Sequence, residues 1–286
     1  MAGPHLELIS EHRCFDGMQR FYRHDSRAIG LPMRFSVFVP AQALEASVPV
    51  VFFLAGLTCT EETFMIKAGA QRWAARHGLM LVAPDTSPRG AGVPGEEADW
   101  DLGTGAGFYL DATQPPWSTH YRMETYVADE LRGLVTSVLP GDAARVGVFG
   151  HSMGGHGALV LAQRHPDRFR SVSAFAPIAA PSRCPWGEKA FTAYLGSDRA
   201  AWAGYDATLL MEQGQRPFMP AILIDQGLAD GFLREQLYPE AFEAACRQAG
   251  QPLTLRRHEG YDHGYYFISS FMQDHMAFHA EQLALI

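Results

Sequence analysis

The 286-residue chain is 47% hydrophobic and carries a formal net charge of −8. That acidic balance, with no run of basic residues, argues against nucleic acid and anionic lipid as partners, because both need a basic face. Size and apolar content fit one large α/β domain over residues 1–286, and no run of about 18 apolar residues able to span a bilayer occurs.

In chain order, residues 1–7 lack the basic and apolar regions of a secretory signal, so no leader is expected. Residues 6–14 and 18–24 read as strands flanking Asp16-Gly17, a hairpin signal. Residues 33–39 alternate apolar and polar and end at Pro40; 48–54 are nearly continuously apolar, as in a central strand covered on both faces. Residues 61–77 read as one helix with Thr60 placed to cap it and Gly78 to close it. A strand at 79–83 leads into residues 84–120, rich in Gly and Pro and without periodicity, a loop long enough to be functional or mobile.

Residues 121–139 read as a helix, 144–149 as a buried strand and 153–165 as a helix ending at Pro166. A strand follows at 171–175. Residues 176–217 are mixed, with short helices near 188–195 and 207–213, and read as an excursion over the sheet. Strands at 221–224 and 253–257 and helices at 238–249 and 265–285 complete the chain. Alternating β and α units imply a mostly parallel sheet with helices on both faces, and the β-rich start implies an antiparallel N-terminal edge. The four cysteines, Cys14, Cys59, Cys184 and Cys246, lack metal-binding or redox spacing. Free thiols in a reducing, cytoplasmic setting are expected.

The chemistry concentrates at Gly150-His151-Ser152-Met153-Gly154, a G-x-S-x-G pattern between a buried strand and a helix. That context defines a nucleophile elbow, a sharp turn that lifts the serine hydroxyl above the sheet beside a helix N-terminus. Gly150 and Gly154 remove Cβ atoms that would clash in the turn; Gly155 and Gly157 allow close packing of the helix. A serine hydroxyl needs a base, and the base an orienting acid, in the chain order serine, acid, histidine.

Among the twelve histidines, His5, His12 and His24 lie in the N-terminal hairpin region, His77 and His165 at helix ends, and His156 on the helix after the elbow. His151 flanks the serine and is expected to point elsewhere. His275 and His279, four apart without an H-E-x-x-H pattern, read as surface or packing residues. That leaves His258, near a strand end, and the favoured His263, in the loop after the last strand. For the acid, Asp230 lies deeper in its loop and is favoured over Asp225, which abuts the strand and could cap a turn; Asp262 adjoins His263 and is discounted. The oxyanion hole requires two N–H donors, assigned to Met153 and to Leu57 in Ala55-Gly56-Leu57-Thr58.

Together these residues resemble the S-formylglutathione hydrolase (esterase D) family over nearly the whole chain. The markers are Ala55–Thr60, Ala83–Gly90, Gly150–Ala158, Cys184–Gly187, Asp225–Gly227 and Gly260–His263. The resemblance implies an α/β-hydrolase fold, a triad of Ser152, Asp230 and His263, cleavage of S-formylglutathione to formate and glutathione in formaldehyde detoxification, no cofactor or metal, and a homodimer. Ala55 stands where the family more often has Ser, and Gly231 where larger polar residues are common. The resemblance also implies that Cys59 lies near Ser152. Lys67, Arg89 and Lys189 are candidates for the glutathione carboxylates, and Trp186 for a wall of the acyl pocket. Three other readings share the motifs: a general short-chain carboxylesterase with no glutathione site, an acyltransferase, and a non-catalytic binding module. The missing leader weighs against the second, the intact triad against the third.

Overall fold

The computed structural model describes residues 6–214 and 218–286. The candidate His5 and residues 215–217 of the excursion lie outside them. Nine strands form one sheet: β1 (Leu6–Cys14), β2 (Gly17–Asp25), β3 (Pro32–Val39), β4 (Val48–Leu54), β5 (Met80–Pro84), β6 (Gly141–His151), β7 (Ser171–Phe175), β8 (Ile222–Gly227) and β9 (Leu253–His258). Their spatial order is β1-β2-β3-β5-β4-β6-β7-β8-β9. The pairings β1–β2, β2–β3 and β3–β5 are antiparallel; all later ones are parallel. The expected mostly parallel sheet with an antiparallel edge is therefore present. β5, β7 and β8 are buried at every position, as strands covered on both faces must be.

Two local expectations need correction. The β1–β2 turn is formed by Phe15 and Asp16, both left-handed at φ 45° and 61°, and not by Asp16-Gly17. Gly17 already belongs to β2, where a Cβ would lie 2.4 Å from the Val39 carbonyl oxygen. The 61–77 helix is two helices, α1 (Glu61–Lys67) and α2 (Ala70–His77). Gly69, at φ 63°, breaks the run, which apolar spacing alone does not reveal. Thr60 caps α1 as anticipated, accepting from the Glu62 N–H at 3.3 Å.

Residues 84–120 are pinned rather than free. The Tyr194 hydroxyl accepts from the Gly103 N–H at 2.8 Å and donates to the Ala106 carbonyl at 2.9 Å, tying the loop to α6 (Pro185–Leu195). The helix expected over 121–139 comprises α3 (Met123–Thr125), a π-helical stretch at Tyr126–Leu131, and α4 (Arg132–Ser137). Then come α5 (Met153–Arg164), α6, α7 (Arg199–Trp202), α8 (Ala207–Gln213), α9 (Pro239–Ala249) and α10 (Tyr265–Ala284). α10 packs on α2, β6 and β7, and α5 packs on α8, β6 and β7.

Asp225 does not cap a turn. β8 continues through Gly227, so Asp225 sits inside the strand with its carboxylate fully buried. Arg256 grips it with two 2.6 Å bonds, and His258 and His275 approach at 3.1 and 3.2 Å. A chain of hydrogen bonds runs on from His275 to Ser173 (2.8 Å), His279 (2.9 Å) and Ser171 (2.7 Å), which locks α10 onto β7. His275 and His279 are thus core residues, wholly buried, and not surface ones.

Burial holds His151, His156, His275 and His279 neutral by pushing their pKa values down, His156 to about 4. The unfolded chain protonates these rings near their ordinary value, so it binds more protons than the folded chain below about pH 6.5. Stability should therefore be flat above that pH and fall as pH drops. For a ring held at about 4, such as His156, the loss at pH 5 is about 2 kcal/mol. Asp225, held low by its histidine and arginine partners against the opposing effect of burial, adds a further loss below about pH 4. Urea denaturation at pH 7.5, 6 and 5 is expected to show a falling midpoint; an unchanged midpoint would mean that these rings are not held neutral.

Candidate active site

The site is built where β6 meets α5. Ser152 stands between them at φ 56° and ψ −118°, a strained conformation for a residue with a side chain, costing about 1–3 kcal/mol. Two glycines make the turn passable. A Cβ on Gly150 would lie 2.2 Å from the Gly154 carbonyl oxygen, and one on Gly154 would lie 1.8 Å from that of Leu54. Gly155 and Gly157 meet Pro177 and the Tyr109 ring at similarly short range, so α5 seats deep against its neighbours.

The predicted base and acid come together. His263 Nδ1 lies 2.6 Å from Asp230 Oδ2. A carboxylate there accepts, so Nδ1 carries the proton and Nε2 is left with its lone pair. Asp230 is itself fixed, accepting from the Gln226 side-chain amide at 3.2 Å and from the Phe232 N–H at 2.8 Å. The choice of Asp230 over Asp225 and of His263 over His258 matches this geometry, since Asp225 and His258 belong to the sheet network.

Ser152 and His263 face one cavity of about 130 Å³, with Gly56, Leu57, Cys59 and His151 around them. Its walls are aromatic: Trp100, Trp186, Phe232 and Tyr265. Trp186 contacts Trp100 edge-on at 5.6 Å and Phe232 at 4.7 Å between centroids. Trp186 thus lines the cavity, as do Trp100, Phe232 and Tyr265, which were not singled out from the sequence although the last two lie two residues after Asp230 and His263. Met153 opens α5, so its N–H has no intrahelical acceptor. Among the described residues neither this N–H nor that of Leu57 is engaged by another acceptor. Two amides are thereby free beside the serine.

Cys59 also lines the cavity, and burial raises its pKa, so it rests as the thiol. The cations separate. Arg89 binds Asp85 with two bonds of 2.6 and 2.9 Å and lines a different, polar cavity of about 550 Å³ without Ser152. Lys189 is held by Asp99 at 3.0 Å and Asp101 at 2.5 Å. Both proposed contacts are therefore already satisfied by carboxylates. Lys67 does not line the serine's cavity; its ammonium lies 5.8 Å from the centroid of Tyr265, a wall residue.

His151 was expected to point away and does not. Its ring faces the cavity, 4.4 Å from the centroid of His263, with both nitrogens buried and unpartnered among the described residues. The strand geometry explains this: a Cβ on Gly56 would lie 3.2 Å from His151 Nδ1, so the glycine leaves the space the ring occupies. Burial, and then the neighbouring His263, keep His151 uncharged.

The geometry matches known proteins closely. The family model described as "Putative esterase" covers residues 26–278. S-formylglutathione hydrolase of Paracoccus denitrificans is 53% identical over 97% of this chain and 98% of its own length; that of Rattus norvegicus is 50% identical over 97% and 99%. The chain belongs to the S-formylglutathione hydrolase family. A solved structure from the same family, from Agrobacterium tumefaciens, superposes with a TM-score of 0.94 at 51% identity, covering 96% of this chain and 99% of that one. Membership makes the chain an α/β-hydrolase and an esterase-type hydrolase, as the sequence motifs implied.

The tightest family glycine supplies a direct test. Gly154→Ala forces a methyl group against the Leu54 carbonyl, with backbone on both sides and nothing free to move. The variant is expected to lose more than about 3 kcal/mol in urea denaturation, or to fail to accumulate as folded protein. Gly231→Ala, where a Cβ meets nothing within 4 Å, should be near neutral.

Proposed function

We propose that this chain hydrolyses S-formylglutathione to formate and glutathione, with Ser152, His263 and Asp230 as its catalytic triad. The observation that carries the reading is the Asp230-oriented His263 facing the elbow serine across one cavity. Ser152 Oγ attacks the formyl carbon as its proton passes to His263 Nε2. The developing oxyanion is received by the N–H groups of Leu57 and Met153, where one donor is typically worth about 3 kcal/mol of barrier. Collapse of the tetrahedral adduct breaks the C–S bond; the sulfur leaves with the proton from His263, giving free glutathione and formyl-Ser152. Water, deprotonated by His263, then attacks the ester, and formate leaves as Ser152 regains its proton. Every proton is held by His263 between steps, and Asp230 stabilises the imidazolium without changing its own charge.

The same reading treats residues 1–286 as one domain. It takes residues 176–217 as an excursion over the sheet, and Trp186 within it lines the serine's cavity. It places the enzyme in a reducing cytoplasm, where the glutathione product is kept as a thiol, with no nucleic acid or membrane partner and with a homodimer as the assembly. Cys59, beside the serine, shapes the cavity as a neutral thiol.

Ser152→Ala should lower kcat/KM for S-formylglutathione by at least about 10⁴-fold with an unchanged circular dichroism spectrum, and Asp230→Asn by about 10⁴-fold. For the wild type, kcat/KM for the thioester should exceed that for p-nitrophenyl acetate by about a thousandfold. A ratio near one would instead identify a general short-chain esterase acting through the same residues.

A further inference from the structure

Beyond Tyr265 lies a second cavity, about 580 Å³, lined by Lys67, Asp262, Gly264, Tyr265, Tyr266 and Ser269. Tyr265 borders both this cavity and the one that holds Ser152. The Tyr265 hydroxyl is buried, with the Cys59 thiol, a weak partner, as its polar neighbour and no nitrogen or oxygen partner among the described residues. The cavity's two charges are also unpaired. The chain has two lysines; Lys189 is bound by Asp99 and Asp101, whereas Lys67 has no carboxylate within 4.0 Å among the described residues. Asp262 is exposed and accepts only the Gly264 N–H, at 2.8 Å, with no cation in ion-pair range among the described residues.

One open cation and one open anion in a concave site match an amino-acid zwitterion. Glutathione ends in one: its γ-linked glutamyl residue keeps a free α-carboxylate and α-ammonium, and its sulfur lies one residue further along. The neighbouring cavities divide the thioester in the same way, a small one for the acyl group and a large one for the peptide. We propose that the cavity of Lys67, Asp262 and Tyr265 binds the glutathione portion of the substrate, Lys67 taking the γ-glutamyl carboxylate and Asp262 its ammonium, while the thioester sulfur passes Tyr265 toward Ser152. The assignment rests on the proposed thioester activity for its catalytic meaning, but not for its binding chemistry. Lys67 and Asp262 act on specificity and touch no reacting atom.

The binding test uses S-methylglutathione, which has no acyl group to lose. Titration calorimetry on the wild type should show one site, weakened at least tenfold in Lys67→Glu and in Asp262→Lys and largely kept in Lys67→Arg. Kinetics should show the thioester-to-p-nitrophenyl acetate ratio of kcat/KM falling at least tenfold in Lys67→Glu, through KM rather than kcat. Absence of S-methylglutathione binding to the wild type, or binding indifferent to both charge reversals, would overturn the assignment. A wild type that binds S-methylglutathione through these residues but does not prefer the thioester would overturn the proposed activity and leave the binding site standing.

Discussion

The arrangement depends on one contact, the approach of the first turn of α5 to the end of β4. Gly154 lies so near the Leu54 carbonyl that even a methyl group is excluded. That approach sets Ser152 beside the loop that follows β4, which supplies the Leu57 amide. It also leaves Ser152 in a left-handed conformation that a free chain would avoid, held because the C-terminal ends of β4 and β6 are buried. Ser152 and the Leu57 and Met153 amides are thus placed by backbone packing, and His263 comes from a distant part of the chain.

The base arrives with equal constraint. Two aspartates five residues apart have separate duties. Asp225 anchors the sheet to α10 through Arg256, His258 and His275, and Asp230 orients His263. A buried carboxylate is tolerable only when its lone pairs are met, and Asp225 meets that condition with four close contacts from three partners. Because α10 starts at Tyr265, two residues after His263, the network that fixes the helix also fixes the end of the loop carrying His263. The structural network and the reactive one are joined through this helix without sharing a side chain.

Much of this was legible in the sequence, for identifiable reasons. The central strands β4, β5 and β7 are mostly apolar runs because both faces are covered, and the elbow glycines announce a turn that nothing larger can make. Ser152, Asp230 and His263 could be chosen because the order of parts along the chain limits the candidates. Where reading failed, the cause was three-dimensional. Gly69 splits a helix whose apolar spacing continues across it. Asp225 adjoins a strand end on paper but lies inside the strand in space. Arg89 and Lys189 look available until their acidic partners, in the case of Lys189 nearly ninety residues away, come into contact. His151 breaks the expectation that neighbours of the serine diverge, because Gly56 opens room for its ring. Trp100, Phe232 and Tyr265 belong to three separate segments and form one wall only after folding.

That wall has a consequence for substitution. Trp100, Trp186 and Phe232 are held by side-chain packing and carry none of the steric prohibitions that fix Gly150, Gly154 and Gly187, the last with its Cβ position 2.0 Å from the Pro181 carbonyl oxygen. Substitution therefore meets two regimes: glycines whose Cβ positions are blocked by backbone, and aromatics that line the serine's cavity and are held by side-chain packing alone. The shape of the cavity can therefore change by single substitutions in the second set while the backbone turn around Ser152 stays as it is.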